Sequence, residues 1–173
     1  MAITKIQSES LNLSDNYDFT GTVTGAGSSN TPAFMASLGS SQYISGSNHL
    51  VECNTVLKDT NSAYTNTAGN YKFTVPSGEA GTYFLFCSAA VFGGGDNTVK
   101  NFLVLLYKNN SAIAHFSDYL QQTTARYLTK TGSIMLDLEV GDYIQLYTSA
   151  DSSATPQLYN QNYSTFFGGY KLF

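Results

Sequence analysis

The sequence Ser-Thr-Phe-Phe-Gly-Gly-Tyr-Lys-Leu-Phe at residues 164–173 is the strongest structural signal in this chain. Its large apolar side chains are Phe166, Phe167, Tyr170, Leu172 and Phe173. Chain ends fray unless they pair in a sheet or dock on a core, and a frayed end of this composition would expose these side chains to water. We therefore predict a central β-strand that is covered on both sides.

Composition extends this prediction to the whole chain. Of the 173 residues, 42% are hydrophobic and only 12% are charged, and there are 13 Tyr and 11 Phe. Tyr, Phe and Thr favour strands, whereas strong helix formers are sparse. The length allows one domain with a full core. We predict an all-β fold.

Strand-like runs recur about every 8–14 residues from Pro32 onward, with turn signals between them. The clearest runs are Leu50–Leu57, Tyr71–Val75, Gly81–Val91, Phe102–Tyr107, Ser133–Leu138 and Tyr143–Tyr147. Weaker strands are expected at Ala112–Phe116 and Gln122–Leu128. About eight to ten strands at this spacing are typical of a β-sandwich or jelly roll.

Residues 1–31 differ from the rest of the chain. Their few apolar residues are spaced by Ser, Asn, Asp and Thr, and Gly25–Thr31 has the composition of a flexible linker. This stretch cannot form a core of its own, although Phe19–Thr24 alternates like a short strand. We predict an extended attachment or oligomerisation segment at 1–31 and a head domain at 32–173.

Charge and hydropathy exclude several classes of partner. The net charge is −4 and the eight Lys and Arg residues are scattered, which argues against nucleic-acid binding. No run approaches the roughly 18 apolar residues of a membrane span, so we predict no membrane insertion. Residues 1–9 lack the apolar centre of a secretory signal, which favours synthesis in a cytoplasm over a mature secreted fragment.

Catalytic and metal-binding patterns are weak. Cys53 and Cys87 are expected to be buried thiols, with a single disulfide as the alternative. His49 and His115 have no neighbours at metal-ligand spacing, and no Ser lies in a Gly-x-Ser-x-Gly motif. We predict no enzyme activity and no cofactor.

One group of carboxylates remains a weak calcium candidate. Asp137, Glu139 and Asp142 lie close together in sequence, and calcium prefers several oxygen ligands. A structural turn around Gly141 explains them equally well.

Several short motifs follow one another in a recognisable order. They are Asp59 with Tyr64, Phe73-Thr74-Val75-Pro76, Gly81-Thr82-Tyr83, Leu106-Tyr107-Lys108-Asn109, Leu136–Asp142 and the closing Ser164–Phe173. Over about 140 residues this order resembles the globular head of complement component 1q, in the tumour-necrosis-factor-like superfamily. Leu85, Cys87 and Cys53 stand where that family usually has aromatic residues. The collagen-like Gly-X-Y stalk of the animal proteins is absent from this sequence.

The resemblance implies a ten-strand jelly roll that assembles as a homotrimer. Three copies packed about an axis would bury apolar surface that one sandwich cannot hide. We expect part of the following set to face that axis: Phe34, Tyr83, Tyr147, Phe167 and Tyr170. The alternative is that all of them lie inside one sandwich.

The first residues suggest a viral setting. Ile3–Ile6 and Asp18–Gly25 resemble N-terminal segments of phage tail and virion structural proteins. The hypothesis is a non-enzymatic bacteriophage protein, a trimeric head of a fibre or virion decoration. It would be made in the host bacterial cytoplasm and would bind other virion proteins through residues 1–31. The alternative is a secreted, extracellular pattern-recognition or signalling ligand.

Loops carry the binding residues on such scaffolds. The candidate loops are Gly93–Lys100, Tyr119–Arg126 and Ser149–Tyr163. The candidate ligand-binding residues are Tyr119, Arg126, Tyr159 and Tyr163, together with Tyr127. They would bind a host-surface receptor or glycan, since tyrosines can stack on sugars. The alternative is that they are ordinary solvent-facing loop residues.

Overall fold

The computed structural model describes residues 30–44, 48–95, 97–120 and 123–173. Almost all of the predicted attachment segment at 1–31 lies outside these ranges, so its role stays a prediction. None of the described residues forms a helix that is long and apolar enough to cross a bilayer.

The described chain forms a β-sandwich of two sheets. The strands are β1 Ala33–Ser37, β2 Gln42–Tyr43, β3 His49–Leu50, β4 Thr55–Asp59, β5 Tyr64–Thr67, β6 Asn70–Thr74, β7 Gly81–Phe92, β8 Val99–Lys108, β9 Ser111–Tyr119, β10 Tyr127–Leu138, β11 Tyr143–Ser152, β12 Gln157–Leu158 and β13 Phe166–Lys171. Sheet A has the order β2-β12-β7-β13-β1-β4, and β10 also pairs with β7. Sheet B has the order β5-β6-β11-β8-β9, and β3 also pairs with β11.

The closing strand β13 is central, as predicted, but it ends at Lys171, and Phe173, which was expected to be covered, is 74% exposed. The strand pairs antiparallel with β1 on one side and with β7 on the other. Its two glycines allow this close packing. A Cβ at Gly168 would lie 2.7 Å from the Phe34 carbonyl oxygen, and one at Gly169 would lie 2.8 Å from the Phe84 carbonyl oxygen.

The core between the sheets is built around stacked aromatic rings. The rings of Phe34 and Phe73 lie 4.3 Å apart between centroids and are nearly parallel, at 5°. Phe167 packs edge-on against Phe34 at 5.3 Å. Cys53 and Cys87 are buried free thiols, which confirms that prediction. Burial raises the pKa of the Cys87 thiol to about 12, so it remains protonated at neutral pH.

Three residues predicted for the trimer interface belong to this core instead. Phe34, Tyr83 and Phe167 are 2%, 0% and 1% exposed within a single chain, so a second copy cannot contact them. Side chains alternate along a strand, and the inward position on β7 falls on Tyr83 while its neighbour Phe84 points outward. Tyr170 is half-buried and lies directly opposite Phe84, on the outward side.

Two segments are more regular than the sequence indicates. β10 begins at Tyr127, six residues before the predicted Ser133, although its first half is polar. β11 continues to Ser152, and β12 lies inside the stretch expected to be a polar loop.

The two ends of the sandwich are formed by different parts of the chain. The Lys171 amide donates to the Pro32 carbonyl at 3.1 Å, so the chain enters the domain beside its last strand. We call this the proximal end. From Phe84, at that end, to Phe92 is eight residues of extended strand, or about 26 Å. We call the Phe92 end the distal end.

Candidate recognition surfaces

The outward side of sheet A is aromatic. Strand alternation and pairing place on it, towards the proximal end, the following residues: Phe84 and Phe86 of β7, Met135 of β10, and Phe166 and Tyr170 of β13. We call this set the sheet A face. Ser133 and Gly168, which lie opposite Phe86 on this side, are uncharged, and the carboxylate of Asp137 lies at the edge of the set, opposite Thr82.

Ring contacts make the sheet A face continuous. Phe84 lies 5.7 Å from Tyr170 and 6.2 Å from Phe86, between ring centroids. Phe86 in turn lies 6.3 Å from Phe166. Met135 is 64% exposed. A contiguous uncharged aromatic surface of this kind marks an interaction site.

At the distal end, a row of side chains crosses sheet A. Gln157 of β12 is paired with Tyr43 on one side and with Phe92 on the other. Phe92 is paired in turn with Tyr127 of β10. Residues directly opposite each other in a sheet share a face, so these four side chains point outward together.

Arg126 and Tyr159 join this row. The Phe92 and Tyr127 rings stack at 5.0 Å, and Tyr159 packs edge-on against Tyr127 at 5.8 Å. The Arg126 guanidinium lies 5.6 Å from the Phe92 centroid and 5.5 Å from that of Tyr127, within the range of cation–π attraction. The structure thus brings together three of the residues that sequence analysis proposed for ligand binding.

The other two proposed ligand-binding residues lie elsewhere. Tyr119 is 68% exposed at the end of β9 in sheet B, opposite Asn101. Tyr163 is exposed on the 3₁₀ turn 161–163. Their role in binding stays a prediction.

A cleft opens beside the distal row. Its volume is about 650 Å³, and it is lined by Tyr43, Phe92, Gly94, Ala154, Thr155 and Gln157. We call it the distal cleft. Sequence analysis placed Gly94 and residues 154–157 in candidate loops but missed Tyr43 and Phe92. Phe92 ends a long apolar strand and carries no local sign of an outward position.

The loops around the distal cleft are held by hydrogen bonds. The Gly93 carbonyl accepts from the hydroxyls of Thr98 at 2.8 Å and Ser152 at 3.1 Å, and the Gly93 amide donates to the Arg126 carbonyl at 3.0 Å. Gly94 has φ +78, and a Cβ there would collide with the Thr155 carbonyl oxygen. Gly93 and Gly94 are therefore anchored by hydrogen bonds and by backbone packing.

A family model for the C1q domain matches residues 33–172. The chain belongs to the C1q domain family. This match confirms the resemblance and the jelly-roll fold expected from the motifs. Domains of this family are non-enzymatic recognition modules, and they typically assemble as trimers.

Solved structures show the same fold at low sequence identity. The globular domain of zebrafish complement 1qA is 18% identical, with a TM-score of 0.59 over 82% of this chain and 98% of that one. Eiger TNF from S. frugiperda is 14% identical, with a TM-score of 0.62 over 82% and 92%. Murine APRIL at pH 5.0 is 14% identical, with a TM-score of 0.54 over 81% and 98%. A search of curated protein sequences finds no match.

This C1q domain carries a second group of tyrosines on the outward side of sheet B. The rings of Tyr107 and Tyr147 lie 4.3 Å apart, and the Lys72 ammonium lies 4.6 Å from the Tyr143 ring. Burial, and then the neighbouring hydroxyls of Tyr107 and Tyr143, raise the pKa of Tyr147. Tyr147 and Tyr170, both proposed for the trimer interface, therefore lie on opposite outer surfaces of the domain. Their role at an interface stays a prediction.

Two of the three carboxylates considered for calcium, Asp137 and Asp142, have other partners in this C1q domain. Asp142 accepts from the Lys108 ammonium at 2.7 Å and from the Asn109 amide group at 2.6 Å. Asp137 accepts from the Thr82 hydroxyl at 2.6 Å. Among the described residues, no three His, Cys, Asp or Glu side chains converge on one point. The arrangement around Asp142 is that of a structural turn.

Proposed function

We propose that this chain is the trimeric, non-enzymatic head of a bacteriophage fibre or virion protein, and that its distal end binds a receptor on the host surface. The observation that carries the proposal is the uncharged aromatic sheet A face, which a single copy leaves open to water. Family membership supports trimeric recognition, and the resemblance of residues 1–31 to phage segments supports the virion setting.

The sheet A face is suited to the formation of a closed, symmetric assembly of identical copies. Three copies about one axis bury equivalent apolar surfaces and leave none open for further growth. Phe84, Phe86 and Tyr170 supply ring area at the centre of this face, where a partner gains most from excluding water.

The two ends of the domain suit attachment and recognition. Residues 1–31 lead into the proximal end at Pro32, and the distal cleft lies about 26 Å away along β7. Three copies would present three clefts on one side, so weak single contacts would combine into strong attachment.

The alternative is a secreted pattern-recognition or signalling ligand, and family membership favours it as well. The two settings predict different neighbours for the gene in its genome. Neighbouring genes for tail or capsid proteins would support the virion setting, and their absence would favour the secreted one.

Self-association is tested by replacing Met135, which is exposed in one copy and lies directly opposite Phe84 on the sheet A face. We expect the full chain to have three times the 18.7 kDa mass of one copy in analytical ultracentrifugation. Met135→Lys should give folded monomers, because three like charges would meet near the axis. Val140→Lys, an exposed turn position outside the face, is the control and should stay trimeric. A monomeric wild-type chain would refute the proposal.

A further inference from the structure

We propose that the distal cleft binds one unit of a neutral hexose, stacked against aromatic rings and hydrogen-bonded by Gln157. This rests on the proposed function and names the class of ligand that its recognition site takes.

The first argument is the position of Gln157 between two rings. Its neighbours in the sheet are Tyr43 and Phe92, so the backbones that carry the two rings lie about 9–10 Å apart across it. Gln157 thus stands between two aromatic side chains in the lining of the cleft. A volume of about 650 Å³ is in the range of small-ligand sites.

The second argument is chemical complementarity. A pyranose has an apolar face of C–H groups and a rim of hydroxyls, each able to donate and accept. Aromatic faces are electron-rich and attract polarised C–H groups. A carboxamide offers both a donor and an acceptor side by side, which matches two neighbouring sugar hydroxyls, and the Thr155 hydroxyl adds one more group of each kind.

The third argument is charge. None of the six residues that line the cleft is charged. Arg126 lies against the rings of Phe92 and Tyr127 and is not among the lining residues. A lining of rings, one amide and one hydroxyl favours a neutral ligand over an acidic sugar or a phosphate.

The fourth argument is preorganisation. Gly93 is held by hydrogen bonds to Ser152 and Arg126, and Gly94 packs against the Thr155 backbone. A wall that is already fixed need not be ordered when the ligand binds, which matters for a small ligand with little binding energy.

The test uses the intact chain and four free sugars: glucose, galactose, mannose and N-acetylglucosamine. Binding is followed by NMR titration and by an array of neutral and acidic glycans. We expect at least one neutral sugar to bind, and Tyr43→Ala to weaken it about tenfold because a stacking ring is lost. Tyr43→Phe keeps the ring and should bind nearly as well as wild type. Gln157→Leu keeps the side-chain volume without its hydrogen bonds and should also bind poorly.

Phe173→Ala is the matched control, since the Phe173 ring is 74% exposed and lies at the proximal end, where the Phe173 carbonyl accepts from the Thr82 amide. Loss of binding in this variant, or binding of acidic glycans alone, would overturn the assignment. So would the absence of sugar binding by a trimeric wild type, which would point to a protein receptor while leaving the proposed assembly intact. Dissociation of Tyr43→Ala into monomers would show instead that the cleft belongs to the interface. A monomeric wild type would contradict the proposed function itself.

Discussion

Asp142 stabilises the turn between β10 and β11 through several hydrogen bonds. Its carboxylate accepts from Lys108 at 2.7 Å, from Asn109 at 2.6 Å and from the Glu139 amide at 2.8 Å. Asn109 in turn accepts from the Tyr143 amide at 2.9 Å. Burial by itself would raise the pKa of the Asp142 carboxyl, but the hydrogen bonds and the Lys108 charge outweigh it and lower the pKa.

A pKa that is lowered by folding makes stability depend on pH. The stabilisation from Asp142 is complete above the unfolded Asp value of about 3.9 and is lost as the pH falls through the lower folded value. At pH 7 we expect Asp142→Asn to be about 1–2 kcal/mol less stable, because hydrogen bonds to a charged acceptor are lost. The difference should shrink towards zero in acid.

Urea unfolding of both proteins between neutral and acidic pH measures this effect. Asp151→Asn removes an exposed carboxylate from the outward side of sheet B and is the control. A stability difference for Asp142→Asn that stays constant across this pH range would contradict the charged-acceptor explanation.

Among the strands, β13 connects the two parts of sheet A that lie on either side of it. It joins β1 to β7, and Phe167 on its inward side packs against Phe34. Glycine follows at two successive positions because each side of the strand is already filled. The Phe86 ring covers Gly168 on the outward side, and Leu85 reaches over Gly169 on the inward side.

This packing predicts a cost for any side chain at Gly169. A Cβ there would lie 2.5 Å from Leu85 Cδ2 and 2.8 Å from the Phe84 carbonyl oxygen. We expect Gly169→Ala to lower stability by about 1–3 kcal/mol through overpacking, measured as a lower denaturation midpoint. Ser117→Ala, at an exposed position of β9 in sheet B, should change it little. An unchanged midpoint in Gly169→Ala would mean that β13 can shift away from β7.

For the molecule as a whole, the main question is what holds copies together. The sheet A face lies on the domain at 32–173, whereas residues 1–31 were predicted to attach or oligomerise. If the face is sufficient, removing residues 1–29 should leave a folded trimer with nearly the same melting temperature. Light scattering and circular dichroism would test this. Folded monomers after the deletion would assign trimerisation to the N-terminal segment instead.

Local patterns in the sequence determined much of the fold of this protein. Residues 164–173 predicted a central strand, since large apolar side chains on both alternating sets of positions require cover on both sides, and β13 is central. Short motifs and turn signals predicted the jelly roll, and the C1q family match confirms it. The two cysteines were predicted to be buried thiols, and they are.

Only the tertiary structure decided which side of each strand faces inward. Along β7 both alternate sets are apolar, so the pattern does not distinguish Tyr83, which is in the core, from Phe84, which is outside. The distal cleft was equally inaccessible to sequence analysis. Its walls come from Tyr43, Phe92 and Gln157, on three strands far apart in sequence. Alternation and turns are read over a few neighbouring residues, whereas the choice of face and the meeting of distant strands depend on how two whole sheets pack.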